Sequence, residues 1–173
     1  MGKLNLVSKT FLFITILFFS LFLGGYVARQ IVIYQLFEPM GINFKSTYNE
    51  QNLNAVYYTI LPLIVLNIVT YITFLFSYVI FLFTSKIKIK YEGWLFAITV
   101  ILLITAPFEI YLSTVDYKIV RMIMADSMQI NAISELIKNR MSELSSFSLI
   151  EIFSFFAIIF LALFKPLRKK NEN

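Results

Sequence analysis

The chain contains no cysteine and no histidine. Without cysteine there is no disulfide, no thiol relay, no iron–sulfur ligation and no thiolate zinc site. Without histidine there is no imidazole ligand for a b-type haem, no two-histidine facial triad and no Ser-His-Asp triad. No cofactor is therefore expected. Carboxylates remain able to bind Mg²⁺ or Ca²⁺, but no clustered acidic motif of the DxxD kind occurs. Charge is scarce too: 14% of residues are Asp, Glu, Lys or Arg, against roughly 25% in soluble domains.

Apolar residues fill the space that those absences leave. They make up 59% of 173 residues, with 19 phenylalanines, where roughly 45–50% is usual. A water-soluble domain of this length leaves about a third of its chain surface exposed, so it could not hide so much hydrocarbon. Lipid is the solvent that fits. Four apolar runs predict transmembrane helices at about 11–37, 57–84, 94–114 and 147–165, each long enough for a hydrocarbon layer of about 30 Å. The first run competes with a secretory signal peptide reading, with Lys3 and Lys9 as its charged flank. It is long for such a segment and no A-x-A site follows, so a retained helix is expected. Residues 115–146 carry Ile119, Met122, Ile123, Ile130, Ile133, Ile137, Met141 and Leu144 mostly at three- and four-residue steps, with Asp126, Glu135, Lys138 and Arg140 between them. That pattern predicts an amphipathic helix in the second outer loop. The expected fold is all-α: a single transmembrane domain over 1–173, four helices in a bundle, with backbone polar groups satisfied inside each helix.

Basic residues orient these spans. Lys3 and Lys9 precede the first, Lys86, Lys88 and Lys90 join the second to the third, and Lys165, Arg168, Lys169 and Lys170 follow the fourth, against the acids Glu92 and Glu172. The other side has six basic residues (Arg29, Lys45, Lys118, Arg121, Lys138 and Arg140) balanced by Glu38, Glu50, Asp116, Asp126, Glu135 and Glu143. The positive-inside rule puts both termini in the cytoplasm. Tyr91 and Trp94 fit an inner aromatic rim, and Tyr34, Tyr57, Tyr58, Tyr111 and Tyr117 an outer one. The net charge of +5 is thus a topology signal that also attracts anionic lipid, and nucleic-acid binding is not expected. The Lys-, Ile-, Asn- and Phe-rich composition suggests an AT-rich bacterial genome, hence a bacterial plasma membrane.

Charged residues inside a span are costly and mark candidate sites. Arg29, Glu109 and Glu151 fall at similar depth in the outer leaflet, and Asn67 lies near mid-membrane. Thr105, Ala106 and Ser113 surround Glu109, and Ser148 and Ser154 flank Glu151, the small or polar neighbours that a helix–helix interface wants. Ser20, Gly24 and Ala28 form a small-xxx-small row beside Gly25. Two uses compete. Arg29 pairs with Glu109 or Glu151 to set helix register, with Asn67 as an interhelical donor. Alternatively, two carboxylates facing one arginine leave one acid unmatched and able to carry a proton or cation. Absent catalytic chemistry, the leading expectation is a non-catalytic accessory or scaffold subunit that packs against partner membrane proteins. The alternative is a small proton- or cation-coupled transporter or channel protomer, homo-oligomeric because four helices enclose little room. A lipid-acting enzyme using Glu109 and Glu151 as acid and base ranks last, since no nucleophile accompanies them.

Overall fold

A computed structural model describes residues 4–125, 129–143 and 147–166. Among them the chain forms five α-helices: α1 (Leu6–Tyr34), α2 (Glu50–Ser85), α3 (Gly93–Ile123), α4 (Ile130–Glu143) and α5 (Phe147–Phe164). A short 3-10 turn at Ile89–Tyr91 precedes α3, and there are no strands among the described residues. By length and composition α1, α2, α3 and α5 are able to cross a membrane, which suits a multi-pass membrane protein. Lys3, Asp126, Leu144, Arg168, Lys169, Lys170 and Glu172 lie outside the described residues.

Local chemistry sets the helix ends. The Asn5 side chain accepts from Ser8 N–H at 2.7 Å, capping α1. Asn49 and Asn52 form a reciprocal capping box at the start of α2, each side chain accepting the other's backbone N–H. That nucleus starts α2 at Glu50, seven residues before the apolar run. No breaker interrupts α3 after Thr114, and it continues to Ile123, taking in the first part of the 115–146 segment. At 1.5 Å per residue α2 spans about 54 Å and α3 about 46 Å, so both exceed a hydrocarbon layer of about 30 Å.

Burial follows a heptad-like rhythm. In α3 the buried residues Leu95, Ile98, Leu102, Thr105, Glu109, Leu112, Asp116, Ile119 and Ile123 alternate three- and four-residue steps. Leu53 through Phe81 in α2, and Thr15 through Ile33 in α1, repeat the rhythm. A 3.5-residue repeat holds one seam of each helix against its neighbours. The apolar core splits in two along that seam. One cluster, toward the lysine-rich end where Lys86, Lys88 and Lys165 sit, is aromatic: Phe19, Phe22, Tyr26, Tyr71, Phe74 and Phe155 pack with ring centroids 4.8–6.5 Å apart. The other, at the far end, joins Ile33, Leu53, Tyr57, Ile60, Ile119 and Ile123 to Ile133, Ile137 and Met141 of α4. Tyr57, expected at a membrane rim, is instead fully buried there, with its hydroxyl 2.5 Å from Ser134 Oγ on α4. Between the two clusters lies a layer of polar side chains.

Candidate functional site: a buried polar layer

Each helix contributes to this layer because polar residues occupy seam positions where the heptad rhythm turns them inward. Arg29 and Gln30 come from α1, Asn67 from α2, Glu109 and Asp116 from α3, Arg140 from α4, and Glu151 from α5; all seven are buried. The four residues that sequence reasoning assigned to an intramembrane polar cluster (Arg29, Asn67, Glu109 and Glu151) therefore all lie in it.

The ion pairing differs from the Arg29–Glu109 or Arg29–Glu151 pair expected from depth alone. Arg29 Nη1 donates to Asp116 Oδ2 at 2.6 Å, and Arg140 Nε stands 2.6 Å from Asp116 Oδ1. The second contact is an ion pair rather than a well-aligned hydrogen bond. Arg29 is 0% exposed, Asp116 2% and Arg140 4%. One carboxylate thus ties α1, α3 and α4 together. The Arg29 guanidinium also lies 5.5 Å from the centre of the Tyr26 ring, one turn earlier, a cation–π contact made stronger by the absence of water. Gln30 Nε2 donates to Ser148 Oγ at 3.1 Å, linking α1 to α5.

Asp116 and Arg140 are not in the cluster expected from sequence, which places both in the outer segment 115–146. A signal was present: Asp116 stands seven residues after Glu109, and Arg140 three after Ile137 and seven after Ile133, on the apolar face of α4.

The second half of the layer has no such closure. Glu109 on α3 and Glu151 on α5 face each other, 1% and 0% exposed. Among the described residues neither forms an ion pair. Glu109 Oε2 and both carboxylate oxygens of Glu151 are buried without a hydrogen-bond partner among the described residues. Two carboxylates are both acceptors, so an oxygen of one cannot bond an oxygen of the other unless a proton or cation stands between them. The Tyr26 hydroxyl approaches Glu151 and Ser148 without a well-formed bond to either, and Tyr71 lies near both glutamates with its hydroxyl unpartnered. Among the described residues Asn67 finds no partner at either end of its amide. Charge counting makes the same point. Arg29 and Arg140 carry two positive charges against three carboxylates, and one more positive charge balances the layer.

Gly25 permits the approach of α1 to α2 at this level. A Cβ there would stand 2.5 Å from Asn67 Oδ1, closer than real contacts allow. Ser20, Gly24 and Ala28 are exposed, and nothing lies within 4 Å of a Cβ built on Gly24. Gly25 is packed against α2, while Ser20, Gly24 and Ala28 lie on an exposed face of α1. No group of three or more acidic side chains among the described residues is arranged to hold a metal ion.

Comparison with protein-family models, with curated proteins and with solved structures finds no match to this chain.

Proposed function

We propose that the chain is a non-enzymatic, multi-pass membrane protein that carries a proton, a protomer of a small proton-coupled transporter or channel built as a bundle of four spanning helices. In this reading α4 is the amphipathic helix closed over the outer end, and both termini lie on the cytoplasmic side of a bacterial plasma membrane, as the lysine bias suggests. The observation that carries the proposal is the Glu109–Glu151 pair: two buried carboxyl groups on different helices, face to face, with three oxygens that no donor among the described residues satisfies. Unpaired polar groups in a membrane interior cost several kcal/mol each, so a bound proton and water supply what the side chains lack. Tyr26, Tyr71 and Asn67 surround the pair with hydroxyl and amide groups able to relay it. A proton rather than a divalent metal suits the count of one missing positive charge.

The test is proton flux in liposomes loaded with a pH-sensitive dye and driven by a potassium diffusion potential. The wild-type chain acidifies the lumen, and Glu109→Gln abolishes this, since an amide cannot exchange a proton in the same way. Wild-type flux in a Glu109→Gln/Glu151→Gln double variant would remove the proposal.

A second reading, a non-catalytic accessory or scaffold subunit, has one observation in its favour. Helix α5 is the least buried of the four apolar helices, and Phe153, Phe156, Phe160 and Phe164 stand exposed along it at three- and four-residue steps. Such a face suits a partner membrane protein or a second copy. Purification in mild detergent tests it: a lone monomer with no co-purifying chain rejects the accessory role.

A further inference from the structure

A groove of about 830 Å³ opens between α1 and α5 in the lysine-rich half of the molecule, floored by α2 and α3. It is separate from the polar layer. Its α1 wall carries Leu12, Ile16, Leu23 and Val27, with Ser20 and Gly24 recessing the surface between them. From Leu12 to Val27 it runs about 22 Å along the helix, more than the roughly 15 Å depth of one leaflet's hydrocarbon. The volume lies within the ~300–1,000 Å³ of small-molecule sites. The floor is aromatic and aliphatic, with Phe81, Trp94 and Ile98 among its residues.

One end of this apolar groove is charged. Lys165 lines it, its ammonium 5.2 Å from the centre of the Trp94 ring. The Lys165 backbone has φ 48°, a left-handed conformation uncommon for a residue with a side chain and more so just before a proline. Among the described residues Lys165 enters no ion pair. Lys86 and Lys88 share that end, and in the sequence Arg168, Lys169 and Lys170 follow. The acid nearby, Glu92, accepts from the Trp94 indole N–H at 2.7 Å. A tryptophan and lysine at the mouth of a leaflet-deep hydrocarbon slot match a lipid headgroup above its own acyl chain. A partner helix asks for no cation there.

We infer that this groove binds an anionic phospholipid from the leaflet at the lysine-rich end, an acyl chain lying along Ser20 and Gly24 and the phosphate facing Lys165. Trp94 is the sole tryptophan in the chain, so its fluorescence reports the site. The purified chain is reconstituted in vesicles containing phosphatidylglycerol or phosphatidylcholine brominated near the headgroup end of their chains. Phosphatidylglycerol should quench Trp94 at about fivefold lower mole fraction, the preference that one lysine at an anionic surface gives. Lys165→Gln should erase that preference while leaving chain quenching in place. Gly24→Leu, whose side chain projects into open space, should fill the groove and weaken quenching by both lipids. Equal quenching by the two lipids in the wild-type chain overturns the inference. So does a Gly24→Leu variant that leaves quenching unchanged but converts a dimer to a monomer in cross-linking, because the groove then belongs to a second copy.

Discussion

Asp116→Asn isolates the structural half of the polar layer. Both carboxylate oxygens are engaged, one by Arg29 and one by Arg140, each at 2.6 Å and out of water. Asparagine keeps the shape, retains one acceptor and removes the charge, so two guanidinium groups remain buried around a neutral side chain. Breaking a buried pair from one side costs about 3–5 kcal/mol. The expected value sits toward the lower end, because Glu109 also acts on Arg29 at longer range and takes up part of the charge. At about 3 kcal/mol and roughly 2–4 °C of melting temperature per kcal/mol for a chain of this length, detergent-solubilised protein followed by circular dichroism should melt about 6–12 °C lower. Glu135→Gln supplies the control: its partner Lys138 lies 3.1 Å away, with Glu135 exposed and Lys138 partly exposed, and such surface pairs contribute at most about 1 kcal/mol. Adding Arg140→Met to Asp116→Asn should recover part of the loss, since one uncompensated charge is then gone. If Asp116→Asn melts with Glu135→Gln, or if Arg140→Met deepens the defect, the three-helix clamp is not holding these helices together.

Gly25→Ala should destabilise by at most about 1 kcal/mol, because the one close atom it meets is the tip of the Asn67 side chain, which must turn aside, while Gly24→Ala, with open space beside it, should meet no such contact. In an Asn67→Ala background the Gly25→Ala penalty should largely disappear, and a penalty that persists there would move the clash elsewhere. Tyr57→Phe and Ser134→Ala each remove the buried α2–α4 hydrogen bond. Each should cost about 1 kcal/mol, and the pair together less than the sum, so strictly additive losses in thermal melts would show that the two hydroxyls do not depend on each other.

Much of this architecture is legible in composition and hydropathy, because a spanning helix must be long, apolar and self-satisfied in its hydrogen bonds. Four helices with those properties are present, near the expected runs. Their true lengths were not legible from hydropathy. The Asn49–Asn52 box extends α2, and the last third of α3 is amphipathic enough to resemble a loop helix until its three-four rhythm is followed unbroken from Leu95 to Ile123. The candidate site was legible in half. Arg29, Asn67, Glu109 and Glu151 announce themselves as polar residues in apolar runs. Asp116 and Arg140 sit among other charges, where hydropathy carries no contrast and only the position along a seam distinguishes a buried charge from a solvated one.

The two halves of the layer depend on each other through that distinction. Arg29 is the one cation within the first apolar run (11–37), and with Glu109 as its contact partner the layer would hold a closed ion pair and a lone Glu151. Asp116 changes the outcome: placed two turns further along α3, it draws Arg29 toward the far end and receives Arg140 from α4 on its other oxygen. The guanidinium charges are thereby spent on fixing helices α1, α3 and α4, and the two glutamates are left facing each other with no cation in contact. A clamp of this kind holds its own geometry rigid while leaving the neighbouring acids unsatisfied. The acid pair is in turn sensitive to the clamp. Releasing Arg29 by Asp116→Asn lets it turn toward Glu109 and supply the missing positive charge, so under the proposed function proton flux should fall even where the variant remains folded.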